Sequence, residues 1–155
     1  MKKILLLLTL LIAFGYANMP TRFQAVPLDK AQIVQKGKNR LSCPNCGMTL
    51  NMFYKTNHSV NDNGTVKQYC SIHCLVATMD KHHFHNVKVV DTNSLKFIDA
   101  KSAWYVVGSN KKGTMSKVSK YAFATKKEAQ AFAKKFSGEV KSFNEVVKIV
   151  KKELK

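Results

Sequence analysis

All four cysteines of the chain fall into two close pairs, Cys43 with Cys46 and Cys70 with Cys74. Two residues lie between the members of the first pair, three lie between those of the second, and 23 residues separate the pairs. Thiolates are soft ligands that select Cu(I), Zn(II) or an iron–sulfur cluster over Mg or Ca. Two close pairs at this separation therefore predict a site that binds one soft metal ion.

The residues around the first pair leave the identity of the ion open. Met48 lies two residues after Cys46, and its thioether favours Cu(I), because zinc rarely uses methionine as a ligand. A structural zinc ion takes four ligands in a closed tetrahedron, which the four cysteines could supply. In an oxidising compartment the same cysteines could instead form disulfides. We expect Cu(I), with structural zinc and disulfides as the alternatives.

Two further residues are candidate metal ligands. His73 lies between the cysteines of the second pair, and Met115 follows a glycine turn outside any helical stripe, which favours an exposed thioether. A thiol–disulfide protein is another alternative, although a predicted hairpin follows Cys43-x-x-Cys46 where a thioredoxin-type motif has a helix. No Ser/His/Asp arrangement, phosphate loop or carboxylate pair stands out. The sequence therefore predicts a binding protein and not an enzyme.

The first residues have the composition of an export signal. Lys2 and Lys3 precede the apolar run Ile4–Phe14, and small residues up to Ala17 fit a cleavage site after that position. The apolar run is shorter than the ~20 residues that span a bilayer. We expect a cleaved signal peptide, with an uncleaved N-terminal anchor as the alternative. In either case the folded part lies outside the cytoplasm, which in a Gram-negative bacterium means the periplasm.

The formal net charge of +17 is a feature that nucleic-acid-binding proteins share. Export argues against that partner, and the lysines are dispersed over faces of predicted helices. Such a charge also steers a protein toward an acidic protein partner or an anionic membrane surface. We expect a soluble or weakly membrane-associated protein that does not bind nucleic acid.

The elements predicted around the cysteines are a knuckle, a hairpin and a helix. They comprise a knuckle at Leu41–Met48, strands around Leu50–His58 and at Thr65–Tyr69 joined by a turn at Asn61–Gly64, and a helix from Cys70 to about Phe84. On that helix Cys70, His73 and Cys74 would share one face. This order is typical of a treble-clef-like metal module.

The second half of the chain predicts a further set of strands and helices. The strands are Val87–Asp91, Leu95–Ile98, Ala103–Gly108, Tyr121–Ala124 and Glu139–Lys141, and a C-terminal amphipathic helix covers Ser142–Leu154. Between the last two strands, Thr125 and Glu128 form a capping box for a helix that Gly138 ends.

The predicted fold class is α+β, with two successive ββα(β) units packed as one compact body and the first unit treble-clef-like. Four segments are expected: a signal peptide at 1–17, an extended segment at 18–40, a metal-binding unit at 41–92, and a second unit with the C-terminal helix at 93–155.

The order of motifs resembles the NosL family, the accessory proteins of nitrous oxide reductase. The resemblance is carried by the segments Cys43–Met48, Phe97–Ala100, Ala103–Ser109, Gly113–Met115, Tyr121–Ala124, Glu128–Phe132 and Gly138–Val140. It extends over about residues 43–148, and the two halves together are more specific than either alone.

This resemblance implies a periplasmic Cu(I) chaperone that delivers copper for the copper–sulfide cluster of nitrous oxide reductase, an enzyme of denitrification. It implies a fold of two ββαβ-type units similar to part of organomercurial lyase. The implied ligands are Cys46, Met48 and Met115, with Cys43 as an addition. The implied partners are nitrous oxide reductase and its membrane maturation machinery.

The chain departs from the family pattern at two points. Many NosL proteins are lipoproteins, whereas this sequence has no lipobox cysteine near the cleavage site. Many also lack the pair Cys70 and Cys74, which resembles the Cys-x3-Cys of heavy-metal trafficking modules of the TRASH type. The additional pair either adds copper ligands or closes a four-cysteine zinc site.

Overall fold

The computed structural model of the protein describes residues 22–155. The predicted signal peptide, residues 1–17, lies outside the described residues. Within the described part of the chain, no helix combines the length and the apolar character needed to cross a bilayer.

Seven strands and three α-helices make up the described chain. The strands are β1 (His58–Asp62), β2 (Thr65–Tyr69), β3 (Phe84–Val90), β4 (Phe97–Asp99), β5 (Trp104–Val107), β6 (Lys120–Phe123) and β7 (Glu139–Ser142). The α-helices are α1 (Ile72–Met79), α2 (Lys126–Phe136) and α3 (Phe143–Glu153), and 3-10 helices cover Leu28–Lys30 and Leu50–Thr56.

The strands form two antiparallel sheets. The first has the order β2-β1-β3-β4 and the second the order β6-β5-β7. A bridge between Asp91 and Ala122 connects them. The predicted mixture of helices and strands is confirmed, whereas the division into two ββα units and the segment boundaries stay predictions.

The predicted strand at Leu50–His58 is wrong. This segment is a 3-10 helix up to Thr56, and β1 begins only at His58. Leu50, Phe53 and Tyr54 are buried while Met52 is exposed, so the apolar residues follow a helical spacing and not an alternating one.

The predicted helix from Cys70 to Phe84 is too long at both ends. Ser71 is its N-cap, with an extended backbone, so Cys70 lies before the helix. The helix ends at Met79, and Phe84 instead begins β3, where it pairs with Asp62 of β1. Other predicted elements are present with shifted ends; β3 starts three residues before Val87, and the predicted strand Leu95–Ile98 lies at Phe97–Asp99.

The two last helices begin as the sequence predicts. The Thr125 hydroxyl accepts a hydrogen bond from the Glu128 amide, and the Glu128 carboxylate accepts one from the Thr125 amide. Ser142 and Glu145 form the same capping box for α3. Such caps satisfy amides at the helix start that have no partner within the helix.

The main hydrophobic core contains three of the cysteines. Its buried members include Cys43, Cys70, Cys74, Leu75, Val89, Tyr105, Ala122 and Val146. These side chains come from the knuckle, α1, α3 and both sheets, so the fold brings residues from distant parts of the chain to the cysteine cluster. A second cluster around Phe123 and Phe132 packs α2 on the smaller sheet.

Candidate metal centre

The knuckle that carries the first cysteine pair is held by its own backbone. The Gly47 amide donates a hydrogen bond to the Cys43 carbonyl at 2.8 Å, and the Cys43 amide donates one to the Met48 carbonyl at 2.9 Å. Gly47 has a φ of +76°, which glycine adopts without a steric penalty. This closed turn presents Cys43 and Cys46 to the same side.

The second pair lies at the junction of β2 and α1. Cys70 follows the last residue of β2, and Cys74 lies in the first turn of α1. The Ser71 hydroxyl accepts a hydrogen bond from the Cys74 amide at 3.3 Å, which fixes the start of the helix. The N-terminal end of a helix dipole favours negative charge, but the contact with Cys43 and burial outweigh it and raise the pKa of Cys74.

The structure brings the four sulfurs together. All four Sγ atoms lie within 4.8 Å of one another. The Sγ of Cys46 lies 3.5 Å from that of Cys70, which lies 3.6 Å from that of Cys74. In a tetrahedral site with metal–sulfur bonds of ~2.3 Å, two sulfurs are ~3.8 Å apart. The spacing therefore fits one soft ion bound by several thiolates.

The four cysteines, all in the described part of the chain, are free thiols that differ in access to solvent. Cys43, Cys70 and Cys74 are buried, with 2%, 0% and 0% of their surface exposed. Cys46 is only partly buried, on the outer turn of the knuckle. Cys46 is thus the most accessible sulfur of the cluster.

The thiols of Cys43, Cys70 and Cys74 differ in pKa. Hydrogen bonds from the thiols of Cys70 and Cys74 hold the pKa of Cys43 well below its usual range, because both stabilise its thiolate. The same contacts with Cys43, together with burial, raise the pKa values of Cys70 and Cys74. A bound metal cation displaces the remaining protons and stabilises the thiolates.

His73 and Met115 line a cavity of about 260 Å³ together with Lys117, Val118 and Glu153, and His73 is not a member of the four-sulfur group. The expectation that Cys70, His73 and Cys74 share one helix face is wrong, because Cys70 precedes the N-cap and helical periodicity does not extend to it. Met115 is 38% exposed, with a φ of +60°. Whether His73 and Met115 bind the ion stays a prediction.

His73 also carries an unpaired atom. Its Nδ1 is buried and has no hydrogen-bond partner among the described residues, and it lies 3.9 Å from Oε2 of Glu153. Met48 is half-buried and packs against the main core, and its carbonyl belongs to the knuckle. Its role as a ligand stays a prediction as well.

A partly buried ion pair that the sequence analysis missed holds the loop of Met115. The Nζ of Lys120 lies 2.9 Å from both carboxylate oxygens of Glu153 and 3.0 Å from Ser116 Oγ and the Val118 carbonyl. Lys120 is only 5% exposed. No local signal in the sequence distinguishes Lys120 from the other lysines, because its partner on α3 lies 33 residues away.

Two antiparallel sheets and a cluster of four free thiols that could hold a metal ion define a sulfur-rich protein of mixed helix and strand content. The sequence matches the NosL family over residues 34–150, which is most of the chain. The protein belongs to the NosL family.

The structure is similar to the crystal structure of the copper chaperone NosL from Shewanella denitrificans. The sequences are 26% identical, the TM-score is 0.59, and the match covers 77% of this chain and 96% of that chain. No curated protein matches the sequence. The family resemblance is therefore confirmed, and with it the prediction that the chain is not an enzyme, since this solved relative is a copper chaperone.

Proposed function

We propose that this protein is a periplasmic Cu(I) chaperone that delivers copper for assembly of the copper cluster of nitrous oxide reductase. The observation that carries the proposal is the group of four free sulfurs within 4.8 Å in a chain of the NosL family. Cu(I) is the cargo of this protein, and thiolates are its preferred protein ligands. Export through the predicted signal peptide and contact with the membrane maturation machinery are parts of the same proposal.

The unequal burial of the sulfurs suits a protein that must hold its cargo and release it. Cys43, Cys70 and Cys74 are shielded from water, which protects a bound ion from competing ligands. The partly exposed Cys46 is the sulfur that an acceptor ligand can replace first. Cu(I) is stable with two or three soft ligands, so it can pass between two proteins while ligands exchange one at a time.

The resemblance to the family adds Met48 and Met115 as thioether ligands, and His73 is a further candidate. Met115 and His73 line the same cavity, on the same side of the molecule as Glu153 and the loop around Lys117. The proposal assigns the tight site to the cysteines and tests the thioethers separately.

Structural zinc is the second candidate function. Four cysteines with three of them buried form a closed donor set, and the sulfur separations also fit tetrahedral zinc. In that case the ion would stabilise the fold, and the protein would unfold on chelation.

The test is an anaerobic Cu(I) titration of the reduced protein lacking residues 1–17, measured against a colorimetric Cu(I) competitor. Wild type is compared with Cys46→Ser, Cys70→Ser and Met115→Leu. Met52→Leu is the matched control, because Met52 is also 38% exposed but belongs to another element. Circular dichroism of each variant establishes that it is folded.

The proposal predicts one tight equivalent of Cu(I) in wild type and in Met52→Leu, and its loss in Cys46→Ser and Cys70→Ser. Loss in Met115→Leu as well would add that thioether to the ligand set. If wild type keeps copurified zinc, unfolds on chelation and takes no Cu(I) from the competitor, the protein is a zinc module and the copper proposal is wrong.

A further inference from the structure

We propose that metal-free protein carries a reversible redox site in which Cys46 and Cys70 form a disulfide with an organic disulfide as the oxidant. The oxidised form lacks the tight copper site. This inference rests on the proposed function, because it describes how binding at the same four sulfurs is controlled.

Exposure to solvent determines which cysteine reacts first with the oxidant. A disulfide reagent must bring one of its sulfurs into line with the attacking sulfur, and this requires an open approach. Cys70 and Cys74 have no exposed surface and Cys43 has 2%, whereas Cys46 is only partly buried. Cys46 is therefore the entry point for the oxidant.

The distance to the sulfur of Cys46 determines which cysteine completes the disulfide. The Sγ atoms of Cys46 and Cys70 are joined by a hydrogen bond at 3.5 Å. The S–S bond of a disulfide is ~2.05 Å long. The movement required is therefore about 1.5 Å. Cys43 and Cys46 lie in one turn that two backbone hydrogen bonds close, whereas Cys70 lies between β2 and the N-cap of α1, outside both elements.

The chemistry is thiol–disulfide exchange in two steps. The sulfur of Cys46 attacks one sulfur of the organic disulfide, so that a mixed disulfide forms and one thiol is released with the proton of Cys46. The sulfur of Cys70 then attacks Cys46, the mixed disulfide breaks, and a second thiol leaves with the proton of Cys70. Two protein thiols are oxidised and one organic disulfide is reduced to two thiols.

The consequence is a choice between metal and disulfide. The bond removes two of the four sulfurs and leaves Cys43 and Cys74, both buried and without the accessible sulfur at the edge of the cluster. A bound ion occupies the same two sulfurs and blocks the first attack. In an oxidising compartment, metal-free protein would thus be held in a closed form until a thiol reduces it.

The test treats reduced, metal-free protein with oxidised glutathione and follows the products by intact mass and by peptide mapping without reduction. Cys43→Ser is the matched control for Cys46→Ser and Cys70→Ser, because it removes a sulfur of the cluster that the scheme does not use. A parallel sample is loaded with Zn(II), a redox-inert ion, before the oxidant is added. Cu(I) titration of oxidised and re-reduced wild type measures the effect on binding.

Wild type and Cys43→Ser are expected to form the Cys46–Cys70 bond, Cys70→Ser to stop at a glutathione adduct on Cys46, and Cys46→Ser to stay reduced. Oxidised wild type should lose its tight Cu(I) equivalent and regain it on reduction, and Zn(II) should protect it. A dominant Cys43–Cys46 bond, or no bond in a wild type that binds Cu(I) tightly, would overturn the redox inference and leave the copper proposal intact. If the bond forms but reduced wild type takes up no Cu(I), the copper proposal fails and the control of binding fails with it.

Discussion

Lowering the pH is expected to destabilise this protein through one buried histidine. His58 is 1% exposed, and its two ring nitrogens have fixed partners. Nδ1 lies 3.0 Å from the Thr56 carbonyl and Nε2 lies 3.1 Å from the Tyr105 hydroxyl. A carbonyl only accepts, so Nδ1 donates and Nε2 accepts from the tyrosine. This arrangement requires the neutral imidazole.

The size of the effect follows from the pKa. Burial lowers the pKa of His58 from 6.5 to about 4 in the folded protein. Between these values the unfolded chain binds a proton and the folded protein does not, so stability falls as the pH falls from about 6.5 to 4. The full difference is worth roughly 3 kcal/mol, of which about 2 kcal/mol is lost between pH ~7 and ~5.

The assay is urea denaturation of reduced, metal-free protein at a series of pH values in that window. Wild type is compared with His58→Gln, whose amide can donate to Thr56 and accept from Tyr105 without titrating, so that the contributions of all other groups cancel. The free energy of unfolding of wild type should fall by about 2 kcal/mol more than that of His58→Gln. His83→Gln, at an exposed position, should keep the wild-type slope.

Parallel slopes for wild type and His58→Gln would refute the reasoning. They would mean that His58 becomes charged in the folded protein without cost, and that its bond to the Tyr105 hydroxyl is not maintained.

Two other substitutions test contacts within the fold. Lys120→Met should lower the free energy of unfolding by roughly 1 kcal/mol in urea denaturation, because Glu153 and the Val118 carbonyl lose a charged hydrogen-bond donor, and a loss no larger than that of the exposed Lys127→Met would contradict it. Gly138→Ala should lower it by roughly 3 kcal/mol, because a Cβ there would lie 2.8 Å from Val106 Cγ1 at a φ of +103°. Gly64→Ala, with a φ of +87° and free space around it, should cost only about 1 kcal/mol, and equal losses would exclude the steric explanation.

Local signals in the sequence predicted those parts of the fold that depend on neighbouring residues. The capping box of Thr125 and Glu128 is such a signal, because both partners lie within one turn of helix. The strand predicted at Leu50–His58 is wrong because Leu50, Met52 and Tyr54 alternate as in a strand, whereas the segment up to Thr56 is a 3-10 helix. Only the fold determines that Phe53 is buried and Met52 is not.

At the candidate site, too, features with a local sequence signal were predictable and features that depend on distant contacts were not. The spacing of the cysteines predicted that they meet, and they do. Whether His73 shares a helix face with Cys70 and Cys74 could not be predicted from the sequence. It depends on where the helix begins, and the backbone is still extended at Ser71, so Cys70 lies outside the helix. The pair of Lys120 and Glu153 joins β6 to the end of α3, and no pattern in a single sequence indicates such a distant contact.

Thr56 connects the buried cluster to the exposed loop. Its hydroxyl lies 2.8 Å from the Cys70 carbonyl and 2.9 Å from the Thr114 hydroxyl, and all three groups are buried. Thr114 immediately precedes Met115. The Phe53 carbonyl lies 2.9 Å from the same hydroxyl. A hydroxyl has one proton to donate, so Thr56 donates to one of these groups at a time, and the Thr114 hydroxyl can donate to Thr56 in turn. One side chain therefore ties the backbone at Cys70 to the residue that precedes Met115.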